Sequence, residues 1–488
     1  MKYQSTRNDN LTATATAAVL KGIAPDGGLY ILRDLKQLNF DWQSVLEKDT
    51  QGMASQILGA LLPEYEDMPG LVSKAYTGKF ETEDLTPVVP VGDDYILELF
   101  RGPTSAFKDV ALSMLPQLTT AARRQEGMTD EIVIMTATSG DTGKAALEGF
   151  HDVEGTRIIV FYPDGGVSKV QKAQMVTQVG KNVCICAVRG NFDDAQTGVK
   201  NTFAACEDPA VLEGKGVRLS SANSINIGRL APQVMYYFKA YRDLLDAGII
   251  QLGDTVNYSV PTGNFGDILA GYLAKLLGLP VGMLICASNA NNVLTDFIRT
   301  GTYDKRRPLL KTTSPSMDIL VSSNLERLLY LMSGCDTKLV AELMGQLSRD
   351  GVYTVPDQMK EAICKEFYAD FCDDAQAAAT IAKVWQEKHY LCDPHTAASW
   401  AVAENYVKET GDNRPMVVLS TASPYKFPAA VLEALGGDLS GDEFDQMERL
   451  GADTGVAIPK NLANLRGKPE RHTGVINKED MLDFVLGL

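Results

Sequence analysis

The chain is poor in the residues that metal, nucleic-acid and membrane proteins depend on. Its 488 residues include four histidines and eight cysteines. Cys184, Cys186, Cys206, Cys286, Cys335, Cys364, Cys372 and Cys392 form no C-x-x-C pair, and the histidines do not cluster with them. That spacing argues against a zinc site, and no metal is expected. Positive charge is also scarce, with 46 Lys and Arg against 62 Asp and Glu, a net charge of −16. Phosphate backbones are bound by clustered positive charge, so no nucleic-acid partner is expected. No apolar run approaches the ~18 residues of a membrane span. The opening MKYQSTRNDN has neither a basic segment followed by an apolar one nor an Arg-rich amphipathic look. A cytoplasmic location with reduced thiols is therefore expected.

The remaining composition is that of a soluble globular protein, 45% apolar and 22% charged, long enough for two or three domains. Beyond about Asp130 short apolar runs alternate with helical stretches: Glu131–Thr136, Arg157–Phe161, Asn182–Val188, Val256–Val260 and Met416–Leu419. This alternation predicts the α/β class, with parallel sheet covered on both faces. In such sheets ligands bind beyond the carboxyl ends of the strands. That rule points to the turns Thr136–Gly143, Pro261–Gly266 and Ser420–Pro428.

Each turn carries a candidate site. In Thr138–Gly143 (TSGDTG) small residues at a helix start form a nest for a carboxylate or phosphate through Ser139, Gly140, Thr142 and Gly143, with Asp141 as a cap. The same residues also make an ordinary strand-to-helix turn. In Thr262–Asp267 (TGNFGD) the amides of Gly263, Asn264, Phe265 and Gly266 can cradle a phosphate. The turn lacks the GK[ST] ending of a Walker loop and a full G-x-G-x-x-G, so a nucleotide is a poor match. Ser420 and Thr421 can either hydrogen-bond a ring nitrogen or cap the following helix. Ser220–Arg229 (SSANSINIGR) is either an anion site or a polar loop with a surface arginine. Lys169 and Lys172 carry the same ambiguity. His395 in CDPHT reads as part of a helix start, with Asp393 as its N-cap.

Lys108 stands in Arg101–Asp109 (RGPTSAFKD), at a predicted helix start with Phe107 beside it. A positive helix end disfavours a charged amine, and a neutral amine is what an aldehyde requires. The bland alternative is a solvated lysine.

Taken together and in this order, these blocks resemble the threonine synthase family, its longer bacterial and fungal branch. The resemblance includes YQSTR, PDGGLY and MDILVSSNLER and spans nearly the whole chain. It implies the tryptophan-synthase-β type of pyridoxal phosphate (PLP) enzyme, fold type II. Two open parallel-sheet domains would flank the cofactor: residues 93–138 with 230–488, and 139–229, after an N-terminal domain of residues 1–92. It also implies that Lys108 holds PLP as a Schiff base, that Gly263–Gly266 bind its phosphate, and that Thr421 faces its ring nitrogen. Ser139, Gly140, Thr142 and Gly143 would take the substrate carboxylate. Ser224, Asn226 and Arg229, with Lys169, would take the substrate phosphate. The implied enzyme is a lyase of threonine biosynthesis, a monomer or homodimer. It would convert O-phospho-L-homoserine and water to L-threonine and phosphate. A related dehydratase or phospholyase is the alternative, and a non-catalytic phosphate or nucleotide binder is a different class. Ser423 departs from the family pattern, in which histidine is frequent.

Overall fold

The computed structural model describes residues 2–487 apart from Asp34, Ser139, Gly166 and Glu207. Two sheets organise the chain. The larger has six strands in the order Phe367–Phe371, Val281–Ser288, Val256–Pro261, Met416–Ser420, Asp94–Glu98 and Val88–Val91. All neighbours are parallel except the last pair, a hairpin edge. The smaller has five strands, all parallel, in the order Gly474–Ile476, Val183–Val188, Thr156–Pro163, Glu131–Ala137 and Val217–Ser220. The central strand Val256–Pro261 is buried at every position, as expected of parallel strands covered by helices on both faces. Among the described residues no helix is long and apolar enough to cross a membrane.

Two strands lie elsewhere than the sequence reading placed them. Glu131–Ala137, expected in the larger unit, sits inside the smaller sheet, where Thr156–Pro163 and Val217–Ser220 pair with it on either side. Gly474–Ile476, also expected in the larger unit, closes an edge of the smaller sheet. A mostly exposed three-residue strand carries no hydrophobic pattern to announce it.

The N-terminal region begins with a three-stranded antiparallel sheet, Asn8–Ala13, Tyr3–Ser5 and Tyr30–Leu32. Its residues share one apolar core with the helix Lys108–Gln125. That helix contains Pro116, which has no N–H to offer the carbonyl four residues earlier, that of Leu112. Gly149, in the helix Asp141–Phe150, rests against this carbonyl oxygen, and a Cβ at Gly149 would overlap it. Proline on one helix and glycine on the other together permit this close backbone approach.

Replacing Gly149 with alanine is therefore expected to destabilise the fold by about 1–3 kcal/mol, because the blocking atom is main chain and cannot rotate aside. Denaturant unfolding of the two proteins measures it. An unchanged midpoint would show that the helices can separate at no cost.

Candidate active site

The lysine segment is fastened to the carboxyl end of a central strand. Ala106 and Ala422 form an antiparallel bridge. Phe107 N–H donates to the Thr421 carbonyl at 2.8 Å, and Ser423 N–H to the Ser105 carbonyl at 3.1 Å. The turn before the helix is closed by Asp109, which accepts from Thr104 N–H at 2.8 Å and from the Thr104 hydroxyl at 2.5 Å. These contacts hold Lys108, the first residue of the helix Lys108–Gln125, in the interior at 8% exposure. Burial lowers its ammonium to a pKa of about 8; the Lys426 and Arg229 charges add to this, while Asp141 and Asp109 oppose it. Its Nζ lies 4.6 Å from the Phe107 ring centroid and donates to Ser316 Oγ at 3.4 Å.

Ser316 is itself held. Its N–H donates to His395 Nε2 at 3.2 Å, so the ring proton belongs on Nδ1, which lies 2.5 Å from Asp393 Oδ2. Asp393 also caps its helix, as the sequence indicated. His395 is thus more than part of a helix start: it is a buried link between a capping aspartate and the serine that touches Lys108. Sequence reading missed Ser316, which carries no motif of its own.

The second turn is a row of donors. Thr262 lies buried at the end of the strand Val256–Pro261, and the helix Gly266–Leu276 begins four residues later. Phe265 adopts a left-handed conformation (φ 62°), unusual outside glycine, with its ring buried. The carbonyls of this turn are pinned from outside: Ser322 Oγ donates to that of Gly263 at 2.7 Å, and Asn324 N–H to that of Asn264 at 3.0 Å. The amides of Gly263, Asn264, Phe265 and Gly266 have no acceptor among the described residues. A Cβ at Gly263 would come within 2.8 Å of the Ser316 carbonyl, so the turn also needs glycine to lie close to the lysine's partner.

Asn324 is fixed by Arg327, which is fully buried. Arg327 also donates to the Tyr30 carbonyl at 3.0 Å and to the Ile225 carbonyl at 2.5 Å. Asn324 Nδ2 in turn reaches the Ser224 carbonyl at 3.1 Å.

Two further cations face Lys108. Arg229 is 3% exposed; among the described residues its side chain gives one bond, 2.5 Å to the Ala222 carbonyl, and Nε has no partner. Burial lowers its guanidinium to about 10. Lys426, missed in the sequence, is buried against Asp141 at 2.6 Å and also donates to the Thr104 carbonyl at 3.0 Å. Burial alone would raise the Asp141 carboxyl, but Lys426 and Lys108 hold it well below the usual carboxylate range. Asp141 is therefore a counter-ion rather than a plain cap.

The other expected residues are distributed as follows. Gly140 and Gly143 donate their amides to Thr138 Oγ1, each at 3.0 Å, and Thr142 begins the same helix half-buried. Ser139 lies outside the described residues. Asn226 spends its side chain on Val19 O (2.9 Å) and Gly228 N–H (2.9 Å), so it shapes the loop and has no polar atom left for a ligand. Lys169 is 67% exposed and pairs with Asp442 at 3.7 Å, away from this group. Thr421 is buried, and its hydroxyl has no partner among the described residues. Ser420 bonds Thr396 at 3.0 Å, leaving the cap of the next turn to Ser423. Two cavities, of about 430 and 370 Å³, lie elsewhere; the second reaches Ser322 and Ser323 behind the amide turn.

A lowered amine, four amides without a partner among the described residues and the free hydroxyl of Thr421 fit the aldehyde, phosphate and ring nitrogen of pyridoxal phosphate.

Comparison with known proteins points the same way. Residues 2–86 match the family described as threonine synthase N terminus, 95–422 that of pyridoxal-phosphate dependent enzymes, and 396–485 that of the threonine synthase C-terminal region. The chain is 38% identical to the threonine synthase of Pseudomonas aeruginosa, covering 98% of this chain and 96% of that protein. It is 40% identical to Threonine synthase-like 1 of Macaca fascicularis over 86% of this chain, but spans 57% of that protein's length. The crystal structure of PLP-bound threonine synthase from Brucella melitensis superposes with a TM-score of 0.86 at 37% identity, covering 100% of this chain and 98% of that one. The yeast threonine synthase structure gives 0.86 at 32%, covering 99% and 98%.

Lys426→Met would strand Asp141 as an unpaired buried charge and is expected to cost about 3–5 kcal/mol. Adding Asp141→Asn should recover part of that loss. Equal unfolding midpoints for Lys426→Met and the parent would show that the pair carries no such energy.

Proposed function

The chain belongs to the threonine synthase family of pyridoxal-phosphate-dependent enzymes, and from that premise we propose that it converts O-phospho-L-homoserine and water to L-threonine and phosphate in the cytoplasm. The observation that carries the choice of substrate is Arg229. A guanidinium at 3% exposure with no carboxylate partner and a free Nε is a costly group to bury unless a ligand supplies the anion. The cofactor phosphate already has its own donors in the Gly263–Gly266 amides, so Arg229 calls for a second phosphate, one carried by the substrate.

When bound, pyridoxal phosphate supplies an aldehyde for amines and a sink for electrons. The protein's part is to hold and move protons around it. Lys108 Nζ, lowered to about 8, is neutral for roughly a tenth to a quarter of the time between pH 7 and 7.5, far more than an ordinary lysine; in that form it can join the aldehyde and, once displaced by the substrate amine, accept a proton from substrate carbon. Ser316, positioned by His395 and Asp393, fixes where that amine rests. Thr421 faces the ring nitrogen with a neutral hydroxyl. Thr142, with Ser139, takes the substrate carboxylate, while the Gly140 and Gly143 amides, which already donate to the Thr138 hydroxyl, shape the turn instead. Ser224 joins Arg229 in this assignment of the substrate phosphate, Asn226 shapes their loop, and we leave the exposed Lys169 out of the site.

Incubating the protein with O-phospho-L-homoserine should release phosphate and threonine in equal amounts, and Lys108→Ala should abolish both products and the visible absorbance of the bound cofactor. Release of a 2-oxo acid in place of threonine would assign the protein to an elimination-only phospholyase. Arg229→Met should raise KM for the phosphorylated substrate by about ten- to a hundredfold while leaving the visible band intact, since one charge-assisted contact is lost. The pH dependence also has a definite sign. Below about 8 the Lys108 amine is protonated and unreactive, so its capture by an added aldehyde and borohydride should rise as pH passes through about 8 instead of the ordinary lysine value.

A further inference from the structure

Asp267 ends the motif Thr262–Asp267 and occupies the second position of the helix Gly266–Leu276, next to the four unpaired amides. It is 6% exposed. Tyr236 and Tyr237, adjacent on the helix Val234–Asp246, both reach its Oδ1, Tyr237 at 3.1 Å. Tyr237 also reaches the Asp267 carbonyl at 2.9 Å, and Tyr236 reaches Gln233 Oε1 at 3.1 Å. The other carboxyl oxygen, Oδ2, is buried with no partner among the described residues.

This arrangement is costly for either protonation state of an isolated carboxyl. As a carboxylate, Asp267 would bring negative charge to the amide row that a phosphate needs, and its Oδ2 would be a buried, unsolvated anion. As a neutral acid it brings no charge, and Oδ2 carries a proton in search of an acceptor. With both phenols on Oδ1, the proton belongs on Oδ2. The groups that face this carboxyl are Tyr236 and Tyr237 from the packed helix and Lys108 across the site. Burial raises the carboxyl to about 7, against the lowering influence of those three.

We propose that Asp267 is a phosphate-binding acid: its carboxyl stays protonated on Oδ2 and donates that proton to the cofactor phosphate, adding a side-chain donor to the backbone amides of Gly263–Gly266. The inference rests on the reading that the phosphate of pyridoxal phosphate sits on those amides. It assigns a role to a motif residue that helix capping does not explain, since Asp267 accepts from no main-chain amide of its own helix start. It also accounts for the tyrosine pair, which occupies the oxygen that must not carry the proton. A phosphate dianion beside the acid would raise its pKa further, so binding takes up a proton. The contribution is therefore complete below the pKa of the free protein and is lost as pH rises through the pKa of the complex.

The test uses the protein stripped of cofactor and measures dissociation constants for pyridoxal phosphate and for pyridoxal, which lacks the phosphate. Asp267→Ala should weaken pyridoxal phosphate by at least about tenfold and pyridoxal by less than about threefold. Asp267→Asn, whose amide can keep the tyrosines on its oxygen and donate through its nitrogen, should bind pyridoxal phosphate within about threefold of the parent at about pH 6 and more tightly than the parent at about pH 8.5. Equal weakening of both ligands in Asp267→Ala, or parallel pH profiles for the parent and Asp267→Asn, would overturn the proposal while leaving the cofactor assignment standing. If Asp267→Ala does not fold, the comparison of pH profiles decides alone. Failure of the parent to bind pyridoxal phosphate at any pH would remove the cofactor reading and this proposal together.

Discussion

The site depends first on a main-chain contact between two segments far apart in sequence. The bridge from Ala106 to Ala422, with the hydrogen bonds on either side of it, fixes a short turn to the end of the strand Met416–Ser420. Because these are backbone bonds, the lysine that follows the turn has little freedom in where it emerges. It emerges into a region walled by helix and sheet, and burial then does the chemical work of lowering its charge. If that fastening moved, the serine, the amide turn and the two buried cations would still exist, but they would not converge on one nitrogen.

The electrostatics of the proposed anion sites must work within a protein whose net charge is −16. Long-range attraction cannot serve them, since the overall field repels an anion. The solution is local. Backbone amides at a helix start carry partial positive charge without any side chain, and Arg229 and Lys426 are buried where solvent screens them least. Asp141 balances Lys426 closely, whereas Arg229 has no counter-charge among the described residues. The division is physically sensible: a paired lysine supports the structure of the site, and an unpaired arginine remains available.

Much of this was legible in the sequence, for identifiable reasons. The Gly263–Gly266 turn and Thr421 lie at positions that strand-helix alternation marks as the carboxyl ends of parallel strands, and short glycine-bearing turns are visible in any sequence; Lys108 was legible as a lysine at a helix start, in a block that the family resemblance singles out. What was hidden depends on partners. Asp141 read as a helix cap because an aspartate in a short turn between a strand and a helix usually is one; only the packing of Lys426 against it reveals an ion pair. His395 read as part of a helix start for the same reason, and its other ring nitrogen finds Ser316 across a long stretch of chain. Asn226 looked like a ligand residue by composition, yet its side chain is consumed by Val19 and Gly228. The edge strand Gly474–Ile476 was invisible because three exposed residues have no periodicity to read.

Arg327 has a consequence for how the chain can be divided. Its guanidinium ties the carbonyl of Tyr30, in the N-terminal sheet, to Ile225 and to Asn324, and Asn324 in turn holds the backbone of the amide turn. The N-terminal region is therefore a strut and cannot be regarded as an appendage. Were it detached or exchanged for an unrelated module, a wholly buried guanidinium would lose an acceptor, and the disturbance would reach the amide turn within two hydrogen bonds. The first ninety or so residues and the amide turn are thus coupled mechanically through one side chain.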